Sequence, residues 1–362
     1  MAHLLDQGLI QARTRQLFPL SRTSMPCDLR PMARTLRGRY ASRRLTSISM
    51  HLHKIGCLLR GALGPLIAAA AFSISPHSLH AQSMEPLSYT NAPIGLNFLI
   101  AGYGYQTGNV LVDPSLPLKN VKATVDTAFL AYSRILDFWG QSGSVALAVP
   151  YAWLSASGDV FEQHMTVDRA GVSDLTLRLS VNLFGAPALT LKDFSGYHQD
   201  SIIGLSLQIT APSGQYIPSK LVNIGTNRWS IKPELGISKA ISSWTFEAAA
   251  GVTFFTDNEE YFGTNTRHQN PLLSVQGHFI YNFNRKMWAA LDATYYTGGR
   301  TSLNGNADND LQSNSRWGGT YAYSLARQNS IKVYFSSGVV ARTGSEFRIY
   351  GIGWQYRWGG GL

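Results

Sequence analysis

The chain has 362 residues, 31 Lys and Arg against 21 Asp and Glu, and a formal charge of +10. The excess is concentrated: residues 1–81 hold 11 of the basic residues and only two acids, Asp6 and Asp28, so residues 82–362 carry a net of +1. A uniformly basic surface for nucleic acid is thereby excluded as the reading of the body. Both cysteines, Cys27 and Cys57, also precede residue 82, which leaves the body no disulfide framework, thiolate metal site or cysteine nucleophile.

Taken in chain order, residues 1–49 are Arg-rich and only weakly periodic, and read as a disordered extension or as the product of a start placed too early, Met50 being the better one. From Met50 the pattern is that of a secretory signal peptide over 50–81. Lys54 and Arg60 form the positive region, Gly61 to Ser75 the apolar one, and Leu79-His80-Ala81 the cleavage site. The rival reading is a basic arm for nucleic acid or lipid, which a secreted protein would not retain. Residues 82–362 are then a single domain.

After residue 90 the dominant signal is a period of two, which places successive side chains on opposite faces of a sheet. Leu273, Val275, Phe279, Tyr281 and Phe283 alternate with Ser274, Gln276, His278, Ile280 and Asn282. Leu175 to Leu183, Ile203 to Ile209 and Ile331 to Phe335 repeat the pattern. Twelve strands are predicted, over 93–105, 122–137, 142–154, 169–184, 199–212, 226–240, 242–256, 271–284, 286–298, 313–326, 329–342 and 345–358. The first is the weakest, because Gly and aromatic residues blur its alternation. Most exceed the five or six residues of a soluble strand and suit one that crosses a bilayer at a tilt.

The connections give a second signal. Long predicted loops at 106–121, 155–168, 213–225, 257–270 and 299–312 mostly alternate with tight turns near Gly140-Gln141, Ile241 and Arg285. The connections at 185–198 (long) and 343–344 (short) break the rule. Sidedness of this kind, with an even strand number, points to a transmembrane antiparallel up-and-down β-barrel in a bacterial outer membrane.

Closure into a barrel also explains the composition. Charged residues make up 14% of the chain, against about 25% in an average soluble domain, yet no apolar run of about 18 residues follows the leader. A closed ring of strands satisfies every backbone group and leaves only alternate side chains facing lipid. Trp153, Trp229, Trp244, Trp288, Trp317, Trp354 and Trp358 cluster near predicted strand ends, where aromatic girdles belong. A soluble sandwich or lipocalin-like barrel would also alternate, but its wet face should be rich in Lys and Glu. Here that face is Ser, Thr, Asn, Gly and Gln.

Chemistry-bearing residues are few. The body has four histidines, His164, His198, His268 and His278, none at metal-ligand spacing. No Gly-rich loop opens a helix, Gly351-Ile352-Gly353 reading as strand packing, and no metal or other cofactor is implied. Arg178, Lys232, Glu234, Glu247, Asp292 and Lys332 fall on inward positions, as do His278 and Tyr334. On the lipid face, Arg or Lys at mid-depth would cost about 2–4 kcal/mol. These eight are the candidate lining of a substrate path, or else an interior network that fills a narrow pore. His278 with Ser274 or Asn282 imitates the nucleophile and base of a barrel hydrolase, but nothing in the sequence establishes hydrogen-bond reach. The loop acids Asp257, Glu259, Glu260, Asp308 and Asp310 are a weaker candidate, for a divalent cation, against a plain solvated loop.

Longer motifs carry a resemblance. NRWSIKPELGISKAISSWTFEAAAGVTFFTDN (227–258), ALDATYYTGGRTSLNG (290–305), NSRWGGTYAYSLARQNSIKVYFSSGVVARTGSEF (314–347) and WQYRWGGGL (354–362) are the strongest. With GVSDLTLRLSVNLFGAPAL (171–189) and APSGQYIPSKLVNIGTN (211–227), they resemble the outer-membrane transporter family named after the meta-pathway of phenol degradation, over roughly residues 90–362. The resemblance implies a channel for small hydrophobic or aromatic compounds crossing passively through the lumen, with no catalytic residues to carry over. The expected partners are outer-membrane lipid, those small molecules and the barrel-assembly machinery, with no nucleic acid. The terminus Gly359-Gly360-Gly361-Leu362 departs from the aromatic ending that machinery commonly reads, leaving Trp358 as its substitute. The rival functions are a barrel enzyme acting on lipids and a plugged structural or adhesive barrel.

Overall fold

The computed structural model describes residues 84–111, 118–160 and 163–362. The extension over 1–49 and the signal peptide over 50–81 lie outside these residues.

Seventeen strands are formed in chain order: β1 (Leu96–Leu111), β2 (Leu118–Phe138), β3 (Gln141–Val160), β4 (Gln163–Val172), β5 (Thr176–Phe184), β6 (Ser201–Thr210), β7 (Ser230–Ile241), β8 (Trp244–Phe255), β9 (Asn258–Tyr261), β10 (Asn265–Gln269), β11 (Leu272–Asn284), β12 (Met287–Gly298), β13 (Thr301–Leu303), β14 (Asn306–Ala307), β15 (Gln312–Ser324), β16 (Asn329–Val340) and β17 (Gly344–Gly359). Among the described residues there is one helical turn, α1 (Leu191–Phe194), capped by the Thr190 side chain. The sheet order β2-β1-β17-β16-β15-β12-β11-β8-β7-β6-β5-β3 closes through the β2–β3 pairing, giving a ring of twelve antiparallel wall strands. Each expected strand maps to one wall strand, β4 and β5 together forming the fourth. The fold is therefore the transmembrane up-and-down barrel that the alternation predicts.

The differences lie beyond the bilayer. Residues 106–121 and 155–168, expected as loops, are largely strand: β1, β2 and β3 run on, and β4 pairs with β3 from Tyr151↔Val172 to Val160↔Gln163. The membrane pattern is lost there because the outer face turns polar, as Thr107, Asn109, Lys122 and Ser157 show, and the inner face turns apolar, as Val110, Val121 and Val125 show, while the backbone ladder persists. The expected loops 257–270 and 299–312 instead contribute β9, β10, β13 and β14, which pair as a separate four-stranded sheet. Residues 185–200, long on the side of the short turns, carry α1 and receive the start of the barrel, Ile94 N–H donating to Leu189 O at 2.9 Å.

The outer surface is apolar. Leu130, Leu147, Leu205, Leu235, Phe279, Leu291, Val333 and Ile352 are all exposed on it, a belt that water would not tolerate but lipid does. Aromatic residues band it. Trp244 packs on Tyr281 at 4.7 Å and Trp354, Tyr356 and Trp358 stack in series near the turn end, while Tyr105, Trp153 and Tyr350 share a register row toward the loop end. Trp288 corrects the girdle expectation. It shares the parity of Asp292 on β12 and lines the lumen.

Candidate functional site: a lumen divided by the N-terminal segment

Met84–Gly95 enters the barrel rather than leaving it. Tyr89 is almost fully buried, and its ring lies on the backbone of Gly204 and Gly236, register partners on β6 and β7. A Cβ on either would stand 2.4 or 2.1 Å from the ring, so only glycine accepts it. The Tyr89 hydroxyl donates to Glu234 Oε1 at 3.0 Å, Leu87 N–H donates to Glu247 Oε2 at 2.7 Å, and Glu85 pairs with Arg178 at 2.8 Å.

These contacts collect the sequence-identified residues. Glu234, buried, is the hub: it accepts from Lys232 Nζ at 2.7 Å, Arg178 Nη2 at 3.3 Å and Gln276 Nε2 at 3.3 Å. Such a charge is held in the interior only because the partners compensate its lost hydration. A second group stands in one register row on β8, β11 and β12: Glu247, His278 and Asp292. His278 Nδ1 donates to Asp292 Oδ1 at 2.6 Å, and Thr320 Oγ1 donates to Asp292 Oδ2 at 2.8 Å. Ser274 instead donates to Gly251 O at 3.4 Å, and Asn282 to Ser243 O at 3.3 Å. The hydroxyl and amide that the sequence set beside His278 thus turn to other groups.

Beside the segment the lumen holds a cavity of about 840 Å³ against β1–β3, β5, β12 and β15–β17. Of the eight candidate residues, Arg178, Asp292, Lys332 and Tyr334 line it; Lys232, Glu234, Glu247 and His278 do not. Its apolar lining includes Phe98, Ile100, Phe129, Ile135 and Trp288. Four glycines form a square on the inner face, Gly102 opposite Gly353 and Gly104 opposite Gly351, of which Gly104 and Gly353 line the cavity. The Tyr334 ring lies over Gly351, where a Cβ would be 2.0 Å away, and the Phe129 ring lies over Gly102, where it would be 2.3 Å away. Gly102 and Gly104 are the glycines that, with the aromatic residues beside them, blurred the first predicted strand.

At the loop end residues 211–229 fold inward. Asp174, between β4 and β5, accepts from Gly214 N–H and Thr226 N–H, each at 2.9 Å. Val222 and Ile224 are thereby delivered to an apolar cluster with Val110, Val121, Val125, Leu154 and Phe347. Arg228 stacks on Phe255 at 4.4 Å and donates to Gln269. Burial, and then the Arg267 guanidinium, push the Arg228 guanidinium down to about 9. Three of the five loop acids are engaged locally: Asp257 pairs with His268 at 2.7 Å, and Asp308 and Asp310 accept from Thr301 Oγ1 at 3.0 and 2.7 Å. No cluster of three metal-ligating side chains occurs among the described residues.

Sequence reasoning missed Glu85 and Tyr89, which precede the alternating region and carry no periodic signal. It also passed over Arg316, buried on β15 and donating to Ser336 Oγ at 3.1 Å and Phe347 O at 2.8 Å. Its shared parity with Gly318 and Thr320 could have found it.

Among solved structures, the fold is similar to that of an outer membrane channel from Pseudomonas putida F1, at a TM-score of 0.66 and 18% identity, covering 76% of this chain and 100% of that one. The transport unit of the autotransporter AIDA-I from Escherichia coli is more distant, at a TM-score of 0.48 and 7% identity over 81% of this chain and 98% of that one. At these identities the likeness is one of fold. No curated protein sequence matches the chain. Residues 103–357 match the family described as "Putative MetA-pathway of phenol degradation", and the chain belongs to that family.

Proposed function

We propose that the protein is an outer-membrane channel through which small hydrophobic or aromatic compounds pass by diffusion, with no chemical step. The observation that carries this reading is the cavity of about 840 Å³ inside a lipid-facing ring, lined by Phe98, Phe129, Trp288 and Tyr334 together with Ser, Thr and Asn side chains. Its size and mixed lining are those of a small-molecule site. The short-turn side faces the periplasm and the loop end the exterior. A solute entering from outside meets the apolar cluster around Val222 and Ile224 first, then the space beside the N-terminal segment. Membership of a family named for phenol degradation is consistent with aromatic cargo.

The inserted segment and the loop-end cluster favour a second reading, a plugged barrel with a structural role. Planar-bilayer recording on the full chain separates the two. The channel reading expects discrete conductance steps that widen when the Glu85 and Tyr89 contacts are removed; a barrel silent in both forms supports the plug.

A further inference from the structure

The cavity's charge is unbalanced. Four cations line it, Arg178, Lys286, Lys332 and Arg357, against two carboxylates, Glu85 and Asp292. Both carboxylates are engaged, Glu85 by Arg178 and Asp292 by His278 and Thr320. Among the described residues Lys332, Lys286 and Arg357 have no carboxylate within ion-pair distance; Arg357 donates only to Arg327 O, at 2.7 Å. Lys332 and Arg357 both stand on wall strands with their side chains toward the interior, half-buried; Arg357 lies two residues from the end of β17, whereas Lys332 lies further along β16, with Ala322 and Gly353 as its register partners.

The register row through Lys332 continues to Gly353, Gly102 and Phe129. Three strand spacings separate Lys332 from Phe129, about 14 Å. The Phe129 ring reaches back across Gly102 from one side, Lys332 stands on the other, and the position of Gly353 between them is open, with no side-chain atom within 4 Å of where its Cβ would be. One row toward the loop end, the Tyr334 ring lies across Gly351 with its hydroxyl toward Gly104. The result is a slot open over Gly353, bordered by the Phe129 and Tyr334 rings, with the Lys332 ammonium, which has no carboxylate partner, at one side. A neutral hydrocarbon would use the walls and leave the ammonium idle. A planar ring bearing a carboxylate would use both, because a charge-assisted hydrogen bond to the ammonium is stronger than a neutral one.

We infer that this slot is a binding site for monoaromatic carboxylates, with Lys332 holding the carboxylate and Phe129 and Tyr334 flanking the ring. The inference rests on the channel reading for its cargo and deepens it, since it names an anionic aromatic rather than a neutral one as the better ligand. It is tested by isothermal titration of the full chain in detergent with benzoate and with its neutral counterpart benzamide. Lys332→Gln and Lys332→Arg are the variants, each first checked for the heat-resistant compact form of a folded barrel. Benzoate is expected to bind the native chain at least about tenfold more tightly than benzamide, to lose that advantage in Lys332→Gln and to regain most of it in Lys332→Arg, with benzamide unchanged throughout. Equal binding of the two ligands, no binding of benzoate, or an equal loss of both in Lys332→Gln would overturn it. Because titration reads the slot and conductance reads the path, a chain that conducts but shows no preference refutes only this inference. One that binds benzoate but never conducts refutes only the channel.

Discussion

At the residue scale, the lumen is organised by aromatic rings set on glycine. The Tyr334 ring occupies the place where a side chain on Gly351 would have to go, so Gly351→Val must displace it or bend the β16–β17 ladder. Overpacking of this kind typically costs about 1–3 kcal/mol, and urea unfolding of the reconstituted barrel, followed by tryptophan fluorescence, should show that loss; unchanged stability would mean that the ring moves freely. Glu234 is a sharper case. Its carboxylate balances Lys232 and Arg178 while accepting from Tyr89. Removing it as Glu234→Ala strands Lys232 and leaves Arg178 to Glu85 alone, at about 3–5 kcal/mol, whereas a loss under 1 kcal/mol would show that water already serves them. The candidate residues were legible in part. Parity alone placed Arg178, Glu234, Asp292 and Lys332 on the inner face, because a strand offers only two faces. Which of them pair is set by cross-strand register, and the sequence does not carry that.

At the scale of elements, the N-terminal segment and the inward loop are the parts that decide whether the lumen conducts. The segment is held by a few side-chain and backbone contacts, from Glu85, Leu87 and Tyr89, rather than by a strand ladder. The double variant Glu85→Gln, Tyr89→Ala is expected to leave the barrel folded and to raise its single-channel conductance; an unchanged conductance would place the constriction elsewhere. The cluster around Val222 and Ile224 is that other place. Neither element was legible in advance. Residues 84–95 and 211–229 lack periodicity because they pack on the lumen wall by shape and by single hydrogen bonds. The wall strands were legible because lipid on one face and a polar lumen on the other enforce the period of two along their membrane-crossing length. Outside the bilayer the outer face turns polar and the lumen pattern gives way to local packing, which is why the extensions of β1, β2 and β3 and the small β9–β10–β13–β14 sheet read as loops.

At the scale of the whole molecule, the two faces of the wall make opposite demands. Leu291 on the outer face is 56% exposed, and Leu291→Arg should destabilise the bilayer-inserted barrel by about 2–4 kcal/mol. The same change in a water-soluble barrel would be near neutral, so refolding into vesicles at graded urea distinguishes the two. The central claim is the path itself. Its most direct test is the initial uptake rate of a labelled neutral monoaromatic by vesicles with a lipopolysaccharide outer leaflet, which slows the passive route, with and without the full chain. Uptake several-fold faster with the protein, and faster again in the Glu85→Gln, Tyr89→Ala form, is the expected result. A rate equal to that of protein-free vesicles in both forms would contradict the account.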